Sequence, residues 1–336
     1  MAYSRLTKAV GPGHIVGGMI TLRGSVGLGG ANHAVDVMVV QYLLNLNYET
    51  TGLVTELPVT GILQRAALDA IKKYQRDVAK MKLPDGKISA GGPTFTSLAL
   101  QAPSAASALA ALRKVVGVNA RGPYQRTGEL SSGLGIVNTV TFLNLYFSEF
   151  GQLGASAVGG LSTLLGFLNS DRDILDIGWG AYLLATVKHE CADRWLPIEE
   201  FGKGAGHTYG NAVSVTDTAT GKVHSNKYFG RGYVQITWEN NYKVLGNAIG
   251  LGNTLWIDPS LALDASVAYA LASYGMRNGS FTSKKFSNYI NSSGCDYGNA
   301  RRIINGVDQK ARIEGYAERL ELLLRVSCES STSSSF

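Results

Sequence analysis

Cysteine is scarce in this chain: only Cys191, Cys295 and Cys328 occur in 336 residues. They are too few and too scattered for a disulfide framework, and no C-x-x-C pair offers zinc ligands, so three reduced thiols are expected. Charge is also thin, at 17% of residues, and the net balance of +6 comes from dispersed lysines and arginines. No Lys/Arg block of the kind that marks a nucleic-acid arm is present, so a nucleic-acid partner is not expected. A bacterial wall or an anionic membrane surface suits a dispersed positive charge better. Long apolar runs are missing as well. The stretch 134–168 carries Glu149 as its single charge, but Asn138, Asn144, Ser148 and several glycines interrupt it. No clean span of about 20 residues emerges, which favours buried helices over a membrane crossing. The opening "MAYSRLTKAVGPGHIVGG" lacks the continuous apolar core of a secretory signal. Synthesis in the cytoplasm is expected, and action in the periplasm or wall would need another route.

What is there is a globular composition, 45% hydrophobic with 41 glycines, on a chain long enough for two cores. "DVMVVQYLLNLN" (36–47) places Val37, Val40, Leu43 and Leu44 at helical spacing, with Asp36 in the first turn where a carboxylate suits the helix dipole. "RAALDAIKKYQRDVAKM" (65–81) repeats the pattern through Ala67, Ile71, Tyr74 and Val78. Pro84-Asp85-Gly86 reads as a tight turn, and Thr94 or Thr96 as the cap of a last short helix. Residues 17–100 therefore form a small three-helix module. The Ala- and Ser-rich stretch that follows reads as a connector, and 101–164 is taken as a helical connector and apolar segment. A second domain spans 165–326, and 327–336 is a low-complexity tail expected to be flexible. The overall expectation is a mainly α chain with one short β-hairpin region.

In the second domain, "GWGAYLLATVKHECADRWLPIEE" (178–200) concentrates the chemistry. Ile177, Leu184, Val187 and Cys191 lie on one helical face bordered by Glu190, and Pro197 predicts that the helix breaks near Arg194 to Leu196. In an unbroken helix Glu190 and Glu200 would stand about 15 Å apart along the axis. A break lets the chain bring Glu199 or Glu200 back toward Glu190. Two carboxyl groups about 6.5–9.5 Å apart are what an inverting glycosidase needs to hold a water between base and sugar. An apolar wall beside Glu190 would favour its protonated form, as a general acid requires. Downstream, "KYFGRGYVQITWENNYKVLG" (227–246) joins a Gly-Arg-Gly turn to an alternating segment read as a strand, with Tyr233, Gln235 and Thr237 on one side.

The first module, on "SVGLGGANHAVDVMVVQYLLN" and "YQRDV…PDGKISAGGPT", resembles peptidoglycan-binding domains of bacterial wall hydrolases. The second, on "AYLLATVKHE", "PIEEFGKGAGHTYG", "YFGRGYVQITWENNY", "YGMRNGSFT" and "RRIINGVDQKARIEGY" in that order, resembles the family-19 glycoside hydrolases, the chitinase and endolysin type. That resemblance implies a lysozyme-like, predominantly helical catalytic domain working without a cofactor or metal. It implies Glu190 as general acid, Glu200 or Glu199 as base, and Thr237 as the hydroxyl that holds the attacking water. Gln235, Asn241, Asn305 and Arg312 fall at substrate- or groove-lining positions, and Tyr228, Arg231 and Trp238 at groove or supporting ones. Arg231 reads equally well as an ion pair holding the turn. The family's plant members carry small hydroxyl residues and glycine after His-Glu, where this chain has Cys191-Ala192-Asp193, so Asp193 also stands as a candidate base.

The expectation is a muramidase acting on peptidoglycan strands, expected as a monomer, in the role of phage endolysin or secreted antibacterial effector. Holin-dependent release or an immunity protein would then be its partners. A chitinase is the alternative, as is a wall-binding or phage-tail component without turnover. A zinc peptidase of the H-E-x-x-H type is disfavoured because the position four after His189 is Asp193.

Overall fold

The computed structural model describes residues 22–99, 137–291 and 294–328. The chain is mainly α, and among the described residues every sheet is a two-stranded antiparallel ribbon. These residues divide into two compact units. One gathers 22–99, 140–152 and 318–328; the other gathers 137–139, 153–291 and 294–317.

The first unit holds the helices Ala34–Leu46, Arg65–Asp77 and Pro93–Ala99, with a ribbon pairing Val26–Gly27 to Lys87–Ile88. The three expected helices are present, but a further short helix, Tyr48–Thr51, lies between the first two, and there are corrections in detail. The first helix is buried on nearly every side, and Asp36, in its first turn as expected, is itself 1% exposed. Its carboxylate accepts the backbone N–H of Arg23 and Gly24, while burial raises its pKa above the usual range. The second helix ends at Asp77, leaving Val78 outside the buried set of Ala67, Ile71 and Tyr74. Pro93 occupies the first turn of the third helix, which puts Thr94 inside it rather than at its cap; a ring already lacking an N–H loses nothing there.

Of the stretch 101–164, expected as one connector, 101–136 lies outside the described residues and the remainder is divided. The helix Thr139–Phe150 joins the first unit from Val140 onward, while 153 onward belongs to the second. Glu149 explains this. Fully buried, it pairs with Arg23 and Arg319 and accepts the N–H of Val35 at 2.9 Å, so the one charge in the apolar stretch closes a network across three segments. Among the described residues no helix is long and apolar enough to cross a membrane. The expected tail from 327 lies outside the described residues from 329 on; Ser327 is still helical and buried.

The second unit is built on Ile177–Glu190, whose first turn is capped by Asp176 accepting the N–H of Gly178 at 2.6 Å. Eleven of its fourteen residues are buried, so the expected single apolar face is a helix enclosed nearly all round. Against it packs the helix Ala265–Asn278, which also meets the helices Ala155–Ser170 and Glu239–Ala248.

The enclosed helix stops at Glu190, earlier than Pro197 predicts. The reversal is made by Ala192 and Asp193 in left-handed conformation (φ 48° and 62°), and Asp193 is secured by an ion pair to Lys188. Trp195, also left-handed and fully buried, then packs so tightly that a Cβ on Gly160 would sit 2.3 Å from its carbonyl oxygen. Pro197 follows the reversal rather than causing it.

Candidate active site

Glu190 is the last residue of the enclosed helix, so its carboxylate emerges where the helix does. Its Oε1 lies 2.6 Å from Nη1 of Arg301, a residue 3% exposed whose Nη2 stands 3.8 Å from Asp308. The surroundings expected of Glu190 are therefore corrected: a buried guanidinium, not an apolar wall alone, faces it. Beside it, burial lowers the pKa of His189, with Glu190 opposing and Arg301 and Arg312 reinforcing the shift.

The second acidic pair sits on the return segment. Ile198–Glu199 pairs antiparallel with Arg231–Gly232, so the Gly-Arg-Gly turn is hydrogen-bonded directly to the strand that carries the glutamates. This turn also receives the end of the enclosed helix, where the thiol of Cys191 lies 3.7 Å from the carbonyl oxygen of Tyr233. Glu199 and Glu200 are thus anchored on this turn, which the residue after Glu190 also touches, while the Glu190 carboxylate itself is held by Arg301.

The two return glutamates differ in their partners. Glu199 is 2.7 Å from the Lys203 ammonium and 3.3 Å from Nε of Arg231. The bond from Lys203, reinforced by Arg231, holds its carboxyl below the usual range. Glu200 is held by neutral donors instead: the Tyr209 hydroxyl donates to Oε1 and the Gly230 N–H donates to Oε2, each at 2.9 Å. Its own N–H donates to the Gly230 carbonyl at 2.7 Å. Desolvation and the bond to Glu200 together raise the Tyr209 hydroxyl above its ordinary value. Asp193, the other candidate base, is tied to Lys188.

The expected strand through Tyr233, Gln235 and Thr237 is not one. Strand geometry ends at Gly232, a turn covers 233–235, and Ile236 bridges back to Arg231. Gln235 takes a left-handed φ of 54°, which a continuing strand does not accommodate. The turn buries Tyr233 to 1% exposure and fixes Gln235 by donation from Nε2 to the carbonyls of Ile198 and Gly232 at 3.0 and 3.1 Å. The Thr237 hydroxyl donates to the Gln235 carbonyl at 2.9 Å, and Asn241 Nδ2 donates to the Thr237 carbonyl at 2.7 Å. Trp238 is half exposed, with a left-handed φ of 77° and an edge contact to Tyr209 whose ring centroid is 5.2 Å away; Tyr209 in turn stacks on His207. Left-handed non-glycine residues cluster here, where strain of about 1–3 kcal/mol each must be held by the surrounding bonds.

Two expected groove residues stand elsewhere. Tyr228 is 1% exposed and donates its hydroxyl to the Trp256 carbonyl at 2.8 Å, so it supports the turn from inside. Arg231 takes the ion-pair alternative: 6% exposed, it lies 3.6 Å over the Phe229 ring and donates to the Lys227 carbonyl at 2.9 Å. Asn305 and Arg312 are exposed, in and after the loop that follows Arg301. Sequence reasoning passed over Arg301 and Tyr209. The Arg-Arg doublet before an apolar pair was the available signal for the first. For Tyr209 no spacing rule announces a hydroxyl that reaches back nine residues.

No protein-family model matches the chain, and no curated protein matches it. Among solved structures it is similar to chitinase C from Streptomyces griseus, at 19% identity and a TM-score of 0.40, over 58% of this chain and 78% of that one. It is also similar to a bacterial family 19 chitinase, at 22% identity and 0.33 over 52% and 87% of the two chains. A class IV chitinase of family GH19 from Zea mays matches at 21% identity and 0.31 over 54% and 85%. At these scores the likenesses assign neither an activity nor a residue role to this chain.

Proposed function

We propose that the protein is a glycoside hydrolase that cleaves β-1,4 bonds of peptidoglycan with inversion, in the manner of a muramidase. The observation that carries this reading is the unequal provision for two carboxylates, Glu190 held by a buried guanidinium and Glu200 by neutral donors. Glu190 faces a guanidinium able to receive the negative charge it acquires on giving up a proton, which fits the general acid. Glu200 is held by two neutral donors and keeps lone pairs for a further proton, which fits the base. Glu199 is already engaged by two cations and serves to fasten the strand to Arg231.

Thr237 completes the arrangement. Its only proton is committed to the Gln235 carbonyl, so toward a water it can only accept. A water donating one proton to Thr237 and the other to Glu200 would turn a lone pair toward the anomeric carbon. Proton transfer to Glu200 and from Glu190 then balances the hydrolysis. Gln235, Asn241, Trp238, Asn305 and Arg312 would line or support the sugar path.

The choice of peptidoglycan over chitin follows from the positive net charge and from the resemblance of the first module to wall-binding domains. Tethering to the polymer would raise the local concentration of the hydrolase on it. Phage endolysin or secreted effector is the role proposed with it, holin release or an immunity protein being the corresponding partners. Mass spectrometry of digested sacculi tests the reading: new reducing N-acetylmuramic ends are expected, absent with Glu190→Gln. Release of free stem peptides, or no soluble product, would overturn it.

A further inference from the structure

Outside the catalytic carboxylates, the second unit holds a cavity of about 650 Å³ between the end of Ala155–Ser170, the end of Glu239–Ala248 and the helix Ala265–Asn278. None of Glu190, Glu199, Glu200, Thr237 or Arg301 lines it. Its size is that of a small-molecule site. We propose that it is a second saccharide-binding site, taking a sugar unit of the same polymer that the catalytic groove would cleave.

The wall of the cavity is built by helical spacing. Tyr269, Ser273 and Arg277 follow one another at four-residue intervals on one face. Asp171 accepts the Tyr269 hydroxyl at 2.9 Å and the Ser273 hydroxyl at 2.5 Å on the same Oδ2. Arg277 donates from Nε to Ser273 at 3.2 Å and from Nη1 to Asp173 at 2.9 Å. One continuous chain of bonds, Asp173–Arg277–Ser273–Asp171–Tyr269, thereby fixes two carboxylates and a guanidinium before any ligand arrives. Groups ordered in advance lose little entropy on binding.

The capacity that remains selects the ligand. Arg277 keeps three of its five N–H donors, and Asp173 keeps one oxygen outside the ion pair. Fixed donors and acceptors side by side suit neighbouring hydroxyls, which both give and take hydrogen bonds. Phe167 packs on Tyr269 with centroids 5.3 Å apart and presents the apolar surface that a ring's C–H face needs. Two carboxylates against one guanidinium leave one net negative charge, which turns an anionic ligand away and leaves a neutral polyhydroxyl ring acceptable, a small cation being the competitor. The rim, with exposed Ala248, Asp173 and Asn278, leaves the cavity open to a chain. The choice of sugar rests on the proposed glycan substrate; the existence of the site does not.

Titration of the Glu190→Gln protein with tri-N-acetylchitotriose, followed by NMR, tests the inference. Shifts at Phe167, Tyr269 and Arg277 are expected, with binding there weakened at least tenfold by Ala248→Trp, which fills the mouth, and by Asn278→Ala at the rim. A further Glu200→Gln change should leave those shifts in place. Shifts unaffected by both rim variants, or seen with the stem peptide and not the sugar, would overturn the proposal. Hydrolysis by the chain with Glu190 intact is scored separately. Its absence would remove the functional reading while the titration still decides the cavity.

Discussion

Arg301 Nη1 stands 2.6 Å from Glu190 Oε1, joining the end of the helix Ile177–Glu190 to a residue 111 positions later that is itself 3% exposed. The same guanidinium reaches toward Asp308. A planar fork holds two carboxylates in a fixed geometry, which the rotatable donors of an ammonium do not. Arg301→Lys should therefore lower kcat by about tenfold or more with little change in KM, because the charge developing on Glu190 is met less well. Steady-state kinetics on a soluble glycan fragment checks this. An equal loss confined to KM would make Arg301 a substrate contact instead.

The neighbouring glutamates should separate cleanly. Glu200→Gln removes the proposed base and should cost about 10²–10⁴ in turnover, with the fold intact because the amide oxygen can still accept from Gly230 while its NH2 donates to the Tyr209 hydroxyl, which can turn to accept. Glu199→Gln should act on stability. The carboxyl of Glu199 is held below its ordinary value of 4.5, so its contribution is present above that pH and is lost as pH falls through the lower folded value. The variant should have a lower Tm than the parent at pH 7, and the gap should narrow below pH 4.5. Melting curves across that range decide it; a turnover loss in Glu199→Gln matching that of Glu200→Gln would reverse the two roles.

Cys191 supplies a probe of the same place. Fully buried, its thiol is pushed up to about 12, with Glu190 adding to the effect of burial. At pH 8 the native protein should take up alkylating reagent at Cys295 and Cys328, both of intermediate exposure, and at Cys191 only on unfolding or local opening. Peptide mass mapping over time reads the order. Early labelling of Cys191 would mean that the end of the Glu190 helix opens far more readily than its burial implies.

Much of this architecture was legible in the residues, for identifiable reasons. The helix carrying Tyr74 announces itself because one-sided burial imposes a 3.6-residue period on its apolar side chains, and those carrying Leu43 and Leu184 because enclosure makes them apolar nearly all round. The turn around Gly230 is marked by its glycines. What stayed hidden depends on long-range closure or on backbone hand. Glu149 looked like an interruption in an apolar stretch until Arg23 and Arg319 met it. Gln235 and Thr237 looked like alternating strand positions, yet the left-handed φ of Gln235 turns the chain, and no side-chain pattern encodes that sign for a glutamine. Pro197 drew attention to a break that Ala192 and Asp193 make.

Two glycines distinguish strain at the site from strain in the fold. A Cβ on Gly230 would lie 2.9 Å from Gln235 Oε1 and 3.3 Å from Glu200 Cβ, both side-chain atoms. Side chains can yield by a few tenths of an ångström, so Gly230→Ala should fold with nearly the parental Tm. The atoms that yield are those the chemistry uses, and a displacement of that order costs up to about 10²-fold in rate. A Cβ on Gly160 meets the Trp195 carbonyl at 2.3 Å, which is backbone and cannot step aside alone. Gly160→Ala should therefore destabilise by about 1–3 kcal/mol, as overpacking does, with activity per folded molecule kept. Thermal melts and active-fraction kinetics on the pair separate the two effects. If Gly230→Ala retains full turnover, Glu200 does not need its present position, and the base must be sought in Glu199 or Asp193.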